Sequence, residues 1–322
     1  MSIGLSHTIH ARHRHFGWSR DNPPALIVAP GDTVEVEVVD SAGGEINPDT
    51  TAGELSNLDR SKFVPLTGPL TVEGAQPGDA LEITFLDFVT SGWGWSAVTT
   101  RYGILADQFP EPLLKIWQYD RAWSHPAMFS DIAKVPLKPF PGTIGLARAE
   151  QGIHPSLPPY HTGGNLDVRD LSIGTALLLP VEVPGGLLSI GDTHAAQGQG
   201  ELAGTALESP MSVVLKIELI RNAKLHGPQF TTRGPVARHL DELGYHVTCG
   251  LGSDLMEAAR MAALQMIELL VRTHHVAPID AYLLCSVCGD LVISELVFFG
   301  SVVGFAIMSE AVGSSVRTIA AS

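Results

Sequence analysis

Two short segments hold the residue types that do chemistry. Residues 160–170, YHTGGNLDVRD, and residues 191–201, GDTHAAQGQGE, each set a histidine and carboxylates among glycines. Catalytic and metal-binding loops need convergent polar groups and backbone freedom around them, and this composition supplies both. Asp192 and His194 are two apart, so on a strand they point to one side. A carboxylate and an imidazole on one side suit a divalent metal such as zinc, and His161 and Asp167 are available to complete its shell. Glu201 is then left as a free carboxylate, able to deprotonate a metal-bound water or to pass a proton to a leaving amine. The competing reading is structural. Turn caps and hydrogen-bonded core histidines account for the same residues, and short metal motifs recur by chance.

Other chemical templates fit less well. Residues 198–200, GQG, lack the third glycine of a dinucleotide loop and the Gly-Lys-Ser/Thr of a P-loop. There is no G-x-S-x-G elbow, and Gly313-Ser314-Ser315 has no lysine nearby. Cys285 and Cys288 form a C-x-x-C inside the apolar run AYLLCSVCGDL with no second pair for zinc. They read as buried structural cysteines, a reactive thiol being the alternative. His7, His10, His13 and His15 fit neither a strand nor a helix face throughout and read as mostly surface, with an ordered role for His15 near Trp18. Trp93 and Trp95 sit beside glycines in a loop-like stretch, where they either line a pocket or cover a core edge.

The elements that must position these groups are mostly strands. Residues 33–39, TVEVEVV, and 80–88, ALEITFLDF, alternate apolar and polar side chains, and each follows a Pro-Gly-Asp turn. Residues 25–29, 175–183, 186–192 and 212–220 also read as strands. Residues 253–273 read as the one long helix, with Ser253 as N-cap and Leu255, Ala259, Ala262, Met266, Leu269 and Leu270 on one face. Residues 280–299 are apolar enough for either a buried strand or a buried helix. Residues 41–68 and 107–145 read as irregular. The sum is a β-rich α+β fold with few helices. A soft boundary falls near residue 145, giving portions 1–145 and 146–322, with one intertwined unit as the alternative.

Composition narrows the partners. The chain has 322 residues, 45% hydrophobic and 17% charged, which excludes a disordered protein. A net charge of −14 excludes a broad nucleic-acid or anionic-membrane footprint. The most apolar stretch, residues 296–308, is 13 residues long, whereas a bilayer span takes about 20, so it reads as buried core. Three cysteines and a polar, His-rich start without a signal peptide point to a soluble cytoplasmic protein.

The blocks then take on a collective likeness. Trp18 with Pro23-Pro24, VAPGDTVEVE (28–37), LTGPLTVEGAQPGDALEI (66–83), HTGGNLD (161–167), GDTHAAQGQGELAGTALE (191–208), SDLMEAARMA (253–262) and AYLLCSVCGDLVIS (281–294) together resemble the acetamidase/formamidase family. The resemblance implies hydrolysis of formamide- or acetamide-type linear amides to carboxylic acid and ammonia. It implies β-sandwich or barrel portions, a divalent metal (zinc, with calcium as the alternative) and a homo-oligomer, dimer or higher. It also implies a small amide as the ligand and directs attention to His161, Asn165 and Asp167 in one loop and Asp192, His194, Gln197 and Glu201 in the other. On that footing Asn165 or Gln197 stabilises the oxyanion, and Trp18, Trp93 and Trp95 wall the substrate pocket. The chain departs from the family at Gln199, where an aspartate is commoner, which leaves room for lactams or for a catalytically silent binding protein.

Overall fold

Alternation in the sequence becomes alternation in burial. In the strand Thr33–Val38 every second residue is buried, so Val34, Val36 and Val38 face the core while Glu35 and Glu37 do not. Leu81, Ile83 and Phe85 do the same in Ala80–Thr90. The computed structural model describes residues 4–232, 245–295 and 301–308.

A six-stranded sheet runs in the order His7–Ile9, Thr33–Val38, Met211–Ile220, Ala80–Thr90, Ala176–Pro180, Gln229–Thr231. A larger, ten-stranded sheet is built around Leu188–Ala196, which pairs with Phe140–Gly145, Leu66–Val72 and Leu207–Glu208. Both sheets draw strands from either side of residue 145. Their apolar faces share one core, in which Val36, Ile83 and Leu215 of the first sheet join Leu70, Ile144 and Ile190 of the second. The fold is mostly β, as the sequence indicates.

A three-stranded sheet, Tyr245–Gly252, Ser301–Met308 and Gly289–Glu295, carries the helices. Helix α1, Leu255–His274, buries Ala258, Ala262, Met266, Ile267 and Leu270. A Cβ on Gly250 would lie 2.0 Å from the carbonyl oxygen of Ala258, so glycine is what lets the helix seat against the strand. The N-cap is Asp254 rather than Ser253. The Asp254 side chain accepts from the Glu257 N–H at 2.9 Å, while Ser253 donates to the Glu257 carboxylate.

Residues 280–299 resolve into both readings. Helix α2, Pro278–Cys288, runs straight into the strand Gly289–Glu295. Residues 281–288 are all buried, which removes the periodicity that would have marked a helix. Cys285 and Cys288 are unpaired and buried there, and burial pushes both thiols far above their ordinary value. The apolar run 296–308 is described only from residue 301, where it is a strand, and Gly313-Ser314-Ser315 lie outside the described residues. Among the described residues, no helix is long and apolar enough to cross a membrane.

Two stretches read as irregular hold strands. Residues 107–145 contain Leu113–Gln118, Ala127–Phe129, Ala133–Val135 and Phe140–Gly145. The Gly-rich aromatic stretch forms the strand Trp93–Val98, paired with Leu113–Gln118. Gly94 serves close packing rather than a loop, since a Cβ there would lie 2.4 Å from the Glu208 carbonyl oxygen.

Candidate functional site

The strand Leu188–Ala196 is buried along its whole length, yet it carries Asp192 and His194. Burial of such groups demands partners. His194 Nε2 lies 3.0 Å from Asp192 Oδ1 and 3.3 Å from Glu208 Oε2. The pair does share one side, but not by regular pleat. Asp192 has φ +55°, and the pairing with Phe140–Gly145 runs from Pro141↔Thr193 to Thr143↔Gly191, passing over it.

The opposite ring nitrogen fixes the tautomer. His194 Nδ1 is 2.9 Å from Gln197 Oε1, and Gln197 Nε2 donates to the Asp167 carbonyl oxygen at 2.9 Å. The amide nitrogen is thereby the donor to a carbonyl, which leaves Oε1 as the acceptor and Nδ1 as the carrier of a proton. Nε2 therefore presents either a second proton or a lone pair to two buried carboxylates.

Asp167 and Glu201 approach from the other flank. Asn165 Nδ2 donates to Asp167 Oδ2 at 2.8 Å, and Thr143 Oγ1 donates to Asn165 Oδ1. Asp167 Oδ1 is buried, with no hydrogen-bond partner among the described residues. Asp167, His194 and Glu201 each place a ligand atom within 4.8 Å of the others, and so do Asp192, His194 and Glu208. Asp167, Asp192 and Glu201 all adopt left-handed backbone at φ +49°, +55° and +44°, a region non-glycine residues seldom enter.

Four carboxylates around one imidazole cannot all be ionised without compensation. Burial pushes Asp167 up to about 7. Burial, then the charge of Asp167, pushes Glu201 well above the carboxylate range, and burial raises Glu208. Burial opposes ionisation of Asp192 as well, but the charge and hydrogen bond of His194 outweigh it and hold Asp192 low. Burial disfavours a charged His194, yet Glu208 and Asp192 outweigh it and raise the imidazole well above its ordinary value. The cluster must therefore retain protons or take up a cation. The donor chemistry fits a divalent cation: an oriented imidazole, converging carboxylates and one buried carboxylate oxygen left without a partner.

The cluster lies at the base of a cleft of about 690 Å³. Asn165, Asp167, Asp192, Glu201 and Glu208 line it together with apolar side chains including Ile46, Leu58, Phe63 and Trp95. Gly142 packs against the cluster, where a Cβ would lie 2.7 Å from His194 Cε1 and 2.8 Å from Asp167 Oδ1. The loop before Glu201 is clamped from behind. Arg169 donates to both carboxylate oxygens of Asp290, at 2.8 Å from Nη2, and the Gln199 N–H donates to Asp290 Oδ1 at 3.1 Å. The Gly198 N–H donates to the Ser286 carbonyl of α2 at 2.8 Å.

The acetamidase/formamidase family profile matches residues 3–154 and 149–303. The chain belongs to the acetamidase/formamidase family. A formamidase of Methylophilus methylotrophus is 29% identical, over 65% of this chain and 64% of that protein, so the match spans a little under two thirds of that relative. The acetamidase structure from Bacillus halodurans is 30% identical with a TM-score of 0.67, covering 93% of this chain and 96% of that one. A gamma lactamase from Delftia acidovorans superposes with a TM-score of 0.88 over 98% of this chain and 95% of its own, at 24% identity, a likeness of fold.

In this acetamidase/formamidase family member, Asn165, Asp167, Asp192, His194, Gln197 and Glu201 come together as the two loops suggested. His161 does not join them. It is half exposed and paired with Glu182 on the outside, because Gly163 and Gly164, both at φ +109°, turn the chain between it and Asn165. Trp95 lines the cleft. Trp18 is buried against Gly145, and Trp93 packs at a secondary core edge with Ile46 and Trp95. Neither Trp18 nor Trp93 is among the cleft-lining residues. Glu208 was missed as a site residue. Its signal is a lone carboxylate in TALESP between buried neighbours, where it accepts from Ser41 Oγ at 2.8 Å and from the Ala206 N–H at 3.0 Å.

Proposed function

We propose that the chain is an amidase that hydrolyses short-chain linear amides, of the formamide and acetamide type, to carboxylic acid and ammonia. The observation that carries this reading is the buried His194 cluster at the base of a cleft, in a chain of this family. Asp192, His194 and Glu208 are the favoured holders of a divalent cation, because the Gln197 bond turns the Nε2 lone pair toward those two carboxylates. Zinc suits the mixed imidazole and carboxylate set, with calcium the alternative; bound there, such an ion polarises a carbonyl and acidifies water.

The remaining steps fall to the chain's own groups. Glu201 faces the cleft, where its carboxyl, raised by burial, is placed to take the proton of the attacking water and hand it to the amide nitrogen. Asn165 commits one amide hydrogen to Asp167 and keeps a second for the developing oxyanion. Gln197 has both ends engaged, so its task is to orient His194. Ser41, the serine at the cluster, gives its hydroxyl hydrogen to the Glu208 carboxylate at 2.8 Å, with no histidine as its hydrogen-bond partner among the described residues, which supports direct attack by water.

The test is ammonia release from formamide, acetamide and propionamide by purified protein, before and after chelation and after zinc restoration. Activity that chelation removes and zinc restores supports this reading. Activity indifferent to chelation, or undiminished in Glu201→Gln, overturns the mechanism. No ammonia from any amide removes the assignment and leaves a silent binding protein. Lactams are a second reading, favoured by the breadth of the cleft, and ring opening of a five-membered lactam, followed as the amino acid formed, separates it.

Exposed Val247, Leu251 and Ile293 on the three-stranded sheet support homo-oligomeric assembly, which light scattering on the eluting protein tests. Three free cysteines fit a reducing, cytoplasmic setting.

A further inference from the structure

Beside the carboxylates and Asn165, the cleft lining holds a large share of apolar side chains, interspersed with Arg60, Ser61, Tyr102 and Thr205. Ile46, Leu55, Leu58 and Phe63 come from the segment before the strand Leu66–Val72, and Phe16, Ile153 and Leu157 come from the two segments joined by the Trp18↔His154 bridge. Three of these side chains stand largely in water, with Phe16 at 43%, Leu157 at 51% and Ile153 at 75% exposure. Large apolar side chains grouped at the mouth of a cleft mark a surface that an apolar ligand covers. A cleft of about 690 Å³ lies within the roughly 300–1,000 Å³ of sites that enclose drug-sized ligands. The acyl group of formamide is a single carbon, too small to cover more than a fraction of that apolar lining.

We propose that the cleft selects amides of apolar acids whose acyl group is branched, cyclic or aromatic, with the apolar wall formed by Ile46, Leu58, Phe63, Ile153 and Leu157 gripping the carbon skeleton while the amide lies among Asn165, Asp192 and Glu201. This rests on the amidase reading and sharpens its substrate class. Bond changes are those of plain hydrolysis. Water adds to the carbonyl carbon, the C–N bond breaks, and nitrogen leaves as ammonia with the proton taken from water. Each methylene moved from water onto the wall contributes a factor of about four in kcat/KM.

The experiment is a series of formamide, acetamide, butanamide, hexanamide, cyclohexanecarboxamide and benzamide, read as ammonia released. The expected result is kcat/KM rising by about 250-fold from acetamide to hexanamide, which adds four methylenes, and by at least as much to the cyclohexane amide. Ile153→Ser and Leu157→Ser change exposed side chains, so folding is not at stake, and they lower kcat/KM for the large amides by more than for acetamide. Highest kcat/KM on formamide or acetamide overturns the inference and leaves the amidase reading in place. If no amide releases ammonia, the amidase reading falls, and calorimetric binding of cyclohexanecarboxamide against acetamide decides the wall's role. Tighter binding of the larger amide, weakened by Ile153→Ser, supports it, and equal or absent binding overturns it.

Discussion

The two large sheets share a core but obey different rules. In the six-stranded sheet, Thr33–Val38 and Ala80–Thr90 alternate buried and less buried residues, and the pleat alone places each side chain. In the ten-stranded sheet, Leu188–Ala196 is buried on both faces, and its functional side chains are aimed by a left-handed residue, a shifted register and glycines that admit close approach. One sheet uses its sequence for packing. The other departs from regular geometry where the carboxylates must converge, and a dense hydrogen-bond network holds the departure in place.

The comparison breaks if the two sheets respond alike to substitution. Glu201→Gln should lower kcat on the best amide by about 10²–10⁴-fold while the melting temperature holds or rises, since a buried carboxyl of raised pKa is relieved. Phe85→Ala should do the converse. It should cost about 3–5 kcal/mol of stability by denaturant titration, with kcat per folded molecule unchanged. Gln197→Leu should lower activity or zinc affinity by about 10–100-fold, because His194 loses the partner that sets its tautomer.

A pH experiment sharpens the contrast further. In chelated protein the Asp167 carboxyl, raised to about 7 from 3.8, binds a proton in the folded chain that the unfolded chain has already released. Its contribution to stability therefore falls as pH rises from about 4 to about 7. Melting followed across that window should decline in the wild type and decline less steeply in Asp167→Asn, where the raised Glu201 and Glu208 still contribute, and a slope that is equal in both proteins overturns the assignment. The smallest effect is expected at His161→Ala. Its pair with Glu182 is largely solvated, so stability should change by less than about 1 kcal/mol and kcat by less than twofold. A large loss of activity there would restore His161 to the site.

The legible parts of the sequence were those where one physical rule dominates. The strands at 33–39, 80–88 and 212–220 were readable because one face is wet. Helix α1 was readable because its apolar stripe is framed by acidic residues at its start. Helix α2 was ambiguous because everything around it is buried. The Trp93–Val98 strand was misread because Gly94 looked like a turn residue, when its role is to let the strand lie against Glu208. Among site residues, density of polar groups pointed to Asp167, Asp192, His194 and Glu201, and the family resemblance added Asn165 and Gln197. The same criterion overvalued His161, since adjacency along the chain says nothing about which way two left-handed glycines turn it. It undervalued Glu208 and Gly142, one isolated among apolar neighbours and the other lacking a side chain altogether.

The left-handed backbone at Asp167, Asp192 and Glu201 has a consequence for anyone selecting variants of this protein. Left-handed geometry costs an ordinary residue about 1–2 kcal/mol and costs glycine almost nothing. Glycine at any of the three positions would relax the chain and relieve electrostatic crowding while deleting a carboxylate of the proposed site. A screen for heat resistance alone would therefore enrich inactive clones at these codons, and thermostable libraries of this enzyme need a turnover step in every round.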